Sequence, residues 1–229
     1  MTMQDLPCFS AALSNAIGQR ALVQRTLGRS GDSVYAVGND LYLKISPRLT
    51  LLQKERDACL WFEKKLPAHI QTPRVIHFEE LPHADGQAYA YLLTTAVDGT
   101  PACHPHNMED PAALCRLLAE GLQVIHSLSR EGFPSHLISP YPSLPQAAAT
   151  RAPVVTHGDF CLPNVLIKDG KLSGFVDIGQ AFVGDPWADI AWCLWSLAYN
   201  LNTTEYHPLL LSQLGVALDK EAYDIYTAM

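Results

Sequence analysis

At 229 residues the chain is long enough to bury a substantial core in one large domain or two small ones. Nearly half of it (48%) is hydrophobic and only 17% is charged, which excludes a disordered chain. The net charge of −7 speaks against a nucleic-acid binder, which needs a basic face, and is compatible with a small cationic substrate.

The first ten residues, MTMQDLPCFS, carry neither a basic segment nor an apolar run, so no signal peptide is visible. Six scattered cysteines form no Cys-x-x-Cys pair, and a reducing compartment is expected. Residues 9–21 read as weakly helical and lead into a small-residue loop, Leu27-Gly28-Arg29-Ser30-Gly31-Asp32-Ser33. Such a loop can lay backbone N–H groups over phosphates; glycines that serve only turns are the simpler reading of that stretch alone. Period-two runs around Asn39-Asp40 predict a hairpin over Val34–Ile45, with Lys44 in mid-strand, where a lysine usually faces solvent or guards an edge.

Leu52, Glu55, Cys59, Phe62 and Leu66 recur at helical steps and Pro67 ends the pattern, predicting a helix over 51–66. Glu55 lies on its half-apolar face, where a buried glutamate needs a cation, and Lys44 is the nearest candidate. Val75–Phe78 and Ala88–Thr95 read as strands, and Asp98-Gly99 breaks the second. A lobe boundary is placed there, giving an N-terminal lobe of residues 1–96 and a C-terminal lobe of 97–229. Cys103, His104 and His106 fit no zinc spacing and are read as a polar loop.

Asp110-Pro111 predicts an N-cap followed by proline at the first helical position, opening a helix to about Leu128. A proline-rich loop follows from Phe133 to Pro153. Trp187–Leu201 reads as a buried helix, with two short helical segments over Leu209–Leu214 and Lys220–Met229. The most apolar stretch, Ile190–Leu201, is too short to span a bilayer, so a soluble, cytoplasmic protein without membrane contact is expected.

Between these helices lies VVTHGDFCLPNVLIKDGKLSGFVDIG, residues 154–179. Asp169-Gly170 between two apolar runs is a hairpin signal, and the hairpin brings Asp159, Asn164 and Asp177 to one end. An Asp, an Asn five positions on and a later Asp-x-Gly is the pattern of a phosphoryl-transfer site. Such a site needs a carboxylate at the incoming hydroxyl and hard oxygen ligands for Mg²⁺. On this pattern Asp159 faces the acceptor, Asn164 and Asp177 bind the metal, Lys44 holds phosphates and Glu55 fixes Lys44. His157 is expected to anchor the loop and not to act as a base.

These motifs resemble the aminoglycoside 3′-phosphotransferases, antibiotic kinases with a protein-kinase-like fold. The resemblance runs through VVTHGDFCLPN, through Asp177-Ile-Gly with Asp185 and Asp189-Ile-Ala, through Gly28–Tyr35 with Leu41–Lys44, and through Leu92–Gly99. It implies a two-lobed α+β fold, an N-terminal antiparallel sheet with one helix and a mainly helical C-terminal lobe. It implies ATP or GTP as co-substrate with Mg²⁺, Ser30 and Gly31 closing over the phosphates, and backbone atoms of Thr95 and Val97 taking the base. The implied acceptor is a small cationic aminoglycoside, and no obligatory protein partner is implied.

The chain departs from that family in three places. The segment between Leu128 and His157 is short, the sequence stops at Met229, and Gln180 stands where the family usually has Arg. The expectation is an intact nucleotide site with a reduced acceptor wall. A kinase of another small alcohol, and a nucleotide-binding remnant with little transfer activity, remain alternatives.

Overall fold

A computed structural model of the chain describes residues 9–25, 32–82, 86–141 and 150–228. Five antiparallel strands open it: β1 (Leu22–Arg25), β2 (Ser33–Val37), β3 (Leu41–Ser46), β4 (Val75–Pro82) and β5 (Ala88–Thr95), in the order β1-β2-β3-β5-β4. The predicted hairpin is β2–β3, with Val34 opposite Lys44. β1 was not legible in the sequence. One half-buried residue followed by three exposed ones gives no alternation, and pairing with β2 places it at the sheet edge.

The strand period sorts β3 between two faces. Leu41, Leu43 and Ile45 join Val37, Tyr91 and Leu93 in a core under α1 (Ala11–Ile17), which contributes Leu13 and Ile17. Lys44 therefore takes the opposite face, where Ala90 and Leu92 meet Leu52 of α2 (Leu49–Lys65).

α2 belongs to both halves of the molecule. Its N-terminal turns cover the sheet, while Ala58, Cys59, Trp61 and Phe62 enter the larger core. That core is built around α4 (Pro111–His126) and α5 (Trp187–Leu201). Asp110 caps α4 as its sequence predicts, its carboxylate accepting from the N–H groups of Ala112 and Ala113 at 3.1 and 2.9 Å. Cys103 and His104 lie in the turn after the two-residue strand β6 (Thr100–Pro101), and His106 lies in a short helix, α3 (Pro105–Met108). No group of three or more His, Cys, Asp or Glu side chains among the described residues is arranged to hold a metal.

The remaining strands are β7 (Val154–Thr156), β8 (Val165–Lys168), β9 (Lys171–Phe175) and β10 (Phe182–Gly184). β8 and β9 form the predicted hairpin, with Asp169 and Gly170 both at positive φ, the geometry that an Asp-Gly turn supplies. α6 (His207–Leu214) and α7 (Lys220–Thr227) follow, and α7 places Ala222 and Tyr226 in the core. Among the described residues no helix is long and apolar enough to cross a membrane.

Phe62 is fully buried and its ring joins α2 to the larger core. Phe62→Ala is expected to cost about 3–5 kcal/mol, and urea unfolding is expected to stay a single transition at a lower midpoint. Two separated transitions in the wild-type chain would show that the halves fold independently of this shared helix.

Candidate active site

The β8–β9 hairpin gathers the polar groups because both its ends are tied together. Asn164 immediately precedes β8, and its carbonyl accepts from the N–H of Val176 at 3.0 Å. The Asn164 side-chain amide donates to the carbonyl of Asp159 at 2.9 Å and to its carboxylate at 3.0 Å. This fixes the amide's two ends, nitrogen toward Asp159 and oxygen away from it. Asp177 follows β9 in the left-handed conformation, φ 58° and ψ 42°, which aspartate tolerates better than most residues.

From there the Asp177 carboxylate reaches across to the Lys44 ammonium, which also donates to Glu55 Oε1 at 2.6 Å. The ion pair expected from helix and strand periodicity is thus present, and it extends to a third element. Burial works to deprotonate Lys44, but the charges of Glu55 and Asp177 and their hydrogen bonds outweigh it, so its pKa stands well above the ordinary lysine value. For Asp177, burial acts to raise the carboxyl and Lys44 prevails, holding it below the usual range. Glu55 is raised, chiefly by burial, with Lys44 opposing. Gly179 lets the Asp177 turn pass α2, since a Cβ there would stand 2.9 Å from Glu55 Cβ.

The loop bearing Asp159 is held from below by Asp189, a fully buried residue near the start of α5. Its carboxylate accepts from the N–H groups of His157 at 2.8 Å and Gly158 at 2.9 Å, and pairs with His126 Nε2 at 3.1 Å. A carboxylate inside a core is tolerable only with such a full set of donors. Gly158, at φ +83°, admits no side chain, because a Cβ would lie 2.0 Å from the Gln180 carbonyl oxygen. Both ring nitrogens of His157 face the main chain: Nε2 lies 3.0 Å from the Val176 carbonyl, and Nδ1 accepts from the Asp159 N–H at 3.3 Å. The ring is fully buried and fastens the two sides of the site together.

A second carboxylate, Asp185, anchors the C-terminal helix. Arg151 donates to it at 2.5 Å and to Asp219 as well, and the Tyr226 hydroxyl of α7 donates to it at 3.1 Å. Neither this clamp nor that of Asp189 was assigned in the sequence. Their signal was only the pair of acidic residues beside an apolar helix, and their partners lie 31 to 63 positions away.

Lys44, Glu55, Asp159, Asn164 and Asp177 therefore meet at one cleft between the sheet and the hairpin. Thr95 ends β5, exchanging bonds with Arg74, and Val97 lies over Gly174 of β9 on the strap that joins the halves. Ser30 and Gly31 lie outside the described residues. Two shallow depressions, one under Phe133–Ser139 and one between α2 and Glu131–His136, lie elsewhere and are lined by none of the five cleft residues.

The sequence profile of the phosphotransferase enzyme family, APH, matches residues 22–152 and 141–226. The two matched pieces overlap at residues 141–152, within the proline-rich segment. An aminoglycoside 3′-phosphotransferase of Niallia circulans is 29% identical over 253 aligned positions, covering 93% of each chain. One of Enterococcus faecalis is 27% identical, covering 95% of this chain and 96% of the relative. The solved aminoglycoside phosphotransferase APH(3″)-Id of Streptomyces rimosus superposes with a TM-score of 0.72 at 21% identity, over 94% of this chain and 93% of that one. Architecture and sequence agree, and the chain belongs to the APH family of phosphotransferase enzymes.

Proposed function

We propose that the chain transfers the γ-phosphate of ATP or GTP to a hydroxyl of an aminoglycoside, inactivating the antibiotic. The observation that carries this reading is the meeting of Asp159, Asn164 and Asp177 at the hairpin with Lys44 and Glu55 from the sheet side. The relatives named for aminoglycoside 3′-phosphotransfer match over nearly their whole lengths, and APH(3″)-Id has been solved with ADP and streptomycin, which supports both substrates.

In this reading residues 1–96 form the nucleotide lobe and 97–229 the catalytic and acceptor lobe. Asp159 orients the acceptor hydroxyl and takes its proton as the oxygen bonds to the γ-phosphorus. The bond from that phosphorus to the β,γ-bridging oxygen breaks, and the nucleoside diphosphate leaves with the electron pair. Lys44 exchanges Asp177 for the α- and β-phosphates while Glu55 keeps it in place. Ser30 and Gly31 close over the phosphates, and the backbone of Thr95 and Val97 takes the base.

The donor set suits Mg²⁺. The Asn164 amide nitrogen is committed to Asp159, which leaves its oxygen as a hard ligand, and Asp177 adds a carboxylate that is half exposed to the cleft. Two protein ligands are what Mg²⁺ takes when phosphates and water fill the remaining positions, and the ion neutralises charge on those phosphates when bound. The five described thiols are free, which agrees with action in a reducing cytoplasm.

Incubation with γ-labelled ATP and a panel of acceptors is expected to label kanamycin, neomycin or streptomycin and not choline or homoserine. Label on a simple alcohol alone would replace the acceptor class, and nucleotide binding without any transfer would overturn the enzyme reading. Asp159→Ala is expected to lower kcat by about 10²–10⁴-fold, with steady-state kinetics as the check. Asp177→Ala is expected to abolish the Mg²⁺ dependence of nucleotide binding in calorimetry, whereas an unchanged MgATP affinity would remove Asp177 from the metal site.

A further inference from the structure

α5 presents three aromatic side chains on one face. Trp192 and Trp195 meet edge to face at 5.4 Å, and Trp195 stacks nearly parallel on Tyr199 at 5.3 Å and 11°. Trp195 is 39% exposed and Tyr199 69% exposed. Single exposed aromatics are ordinary, but a continuous ladder of three is a surface with something to recognise.

The ladder begins beside the catalytic loop. Ser196 accepts from the N–H of Leu162 at 3.0 Å, three residues along the loop from Asp159. At about 100° per residue, positions 192, 195, 196 and 199 fall within about 100° of one another around the helix. The aromatic rings therefore share the face whose serine touches the loop of Asp159. Trp192 is fixed there by donating from Nε1 to the Tyr141 hydroxyl at 2.9 Å. That hydroxyl is pushed up to about 12, chiefly by burial, with the Asp159 charge among the smaller causes, which puts it within electrostatic reach of the catalytic carboxylate.

Between Trp192 and Asn200 the helix carries no acidic residue. A cation approaching Asp159 along this face meets ring faces and no carboxylate from residues 192–200. Rings attract ammonium groups through their quadrupole, and their flat apolar area suits a sugar ring. From residue 192 to 199 the ladder runs about 10 Å along the helix, enough to hold more of an acceptor than the reacting ring.

We propose that Trp195 and Tyr199, ordered by Trp192, form an acceptor subsite that stacks an ammonium-bearing sugar ring remote from the reacting hydroxyl. The proposal rests on the reading of the cleft as an aminoglycoside phosphotransferase. Trp195 and Tyr199 determine specificity and are not catalytic residues.

Steady-state kinetics with kanamycin tests it on the full chain. Trp195→Ala/Tyr199→Ala is expected to raise the kanamycin KM about 10-fold, while the MgATP KM stays within about twofold and the urea midpoint is unchanged. Trp195→Phe/Tyr199→Phe is expected to recover part of the loss, since ring faces remain. A kanamycin KM unchanged in the Ala variant overturns the subsite and leaves the phosphotransferase reading standing. A wild-type chain that phosphorylates no aminoglycoside overturns that reading and the subsite with it. Light scattering that shows a dimer lost in the Ala variant, with the KM unmoved, reassigns the ladder to contact between copies of this chain and overturns the proposal.

Discussion

One ammonium group ties the site together. Lys44 lies between Glu55 and Asp177, and so joins the middle strand of the sheet, the helix shared by both cores and the end of the catalytic hairpin. Three charges meet in a place where burial penalises each of them, and the arrangement is tolerable only because opposite signs are in contact. Removing the ammonium would leave two carboxylates facing each other without a cation, so a link that adds little to stability imposes a strong geometric requirement. α2 must lie where Glu55 can reach Lys44, and it is kept there by Ala58, Cys59, Trp61 and Phe62, packed into the opposite core.

The loop that carries Asp159 depends on a second arrangement of the same kind. Asp189 sits in the core with its oxygens occupied by the N–H groups of His157 and Gly158 and by His126. The loop cannot relax toward solvent without leaving a buried carboxylate short of donors. Asp159 is consequently presented by a fixed base, with the Asn164 amide donating to its carboxylate. The chain sites its flexible chemistry on loops but fixes those loops with charges in the core.

Much of this was legible in the residues. Asp169-Gly170 announces the hairpin, Asp110-Pro111 the start of α4, and the alternation around Asn39-Asp40 the strand that carries Lys44. The spacing of Asp159, Asn164 and Asp177 has a chemical reason that needs no coordinates. What was not legible depends on contacts between distant positions. β1 shows no alternation of apolar and polar residues and exists through pairing with β2. Asp189 and Asp185 look like any acids at a helix start until their partners are in place. Trp195 reads as part of a buried stripe with Ile190, Ala191, Leu194 and Leu197, yet it is exposed, because helical periodicity marks a face and cannot say whether anything covers it.

The account stands on the claim that Glu55 holds Lys44 in position for the nucleotide phosphates. Isothermal calorimetry of MgATP binding to Glu55→Gln, which keeps the shape and removes the charge, tests it most directly. The account predicts at least about a 10-fold weaker affinity, with the fold intact by urea unfolding, because Lys44 is then left to Asp177 alone. Wild-type affinity in that variant would contradict it.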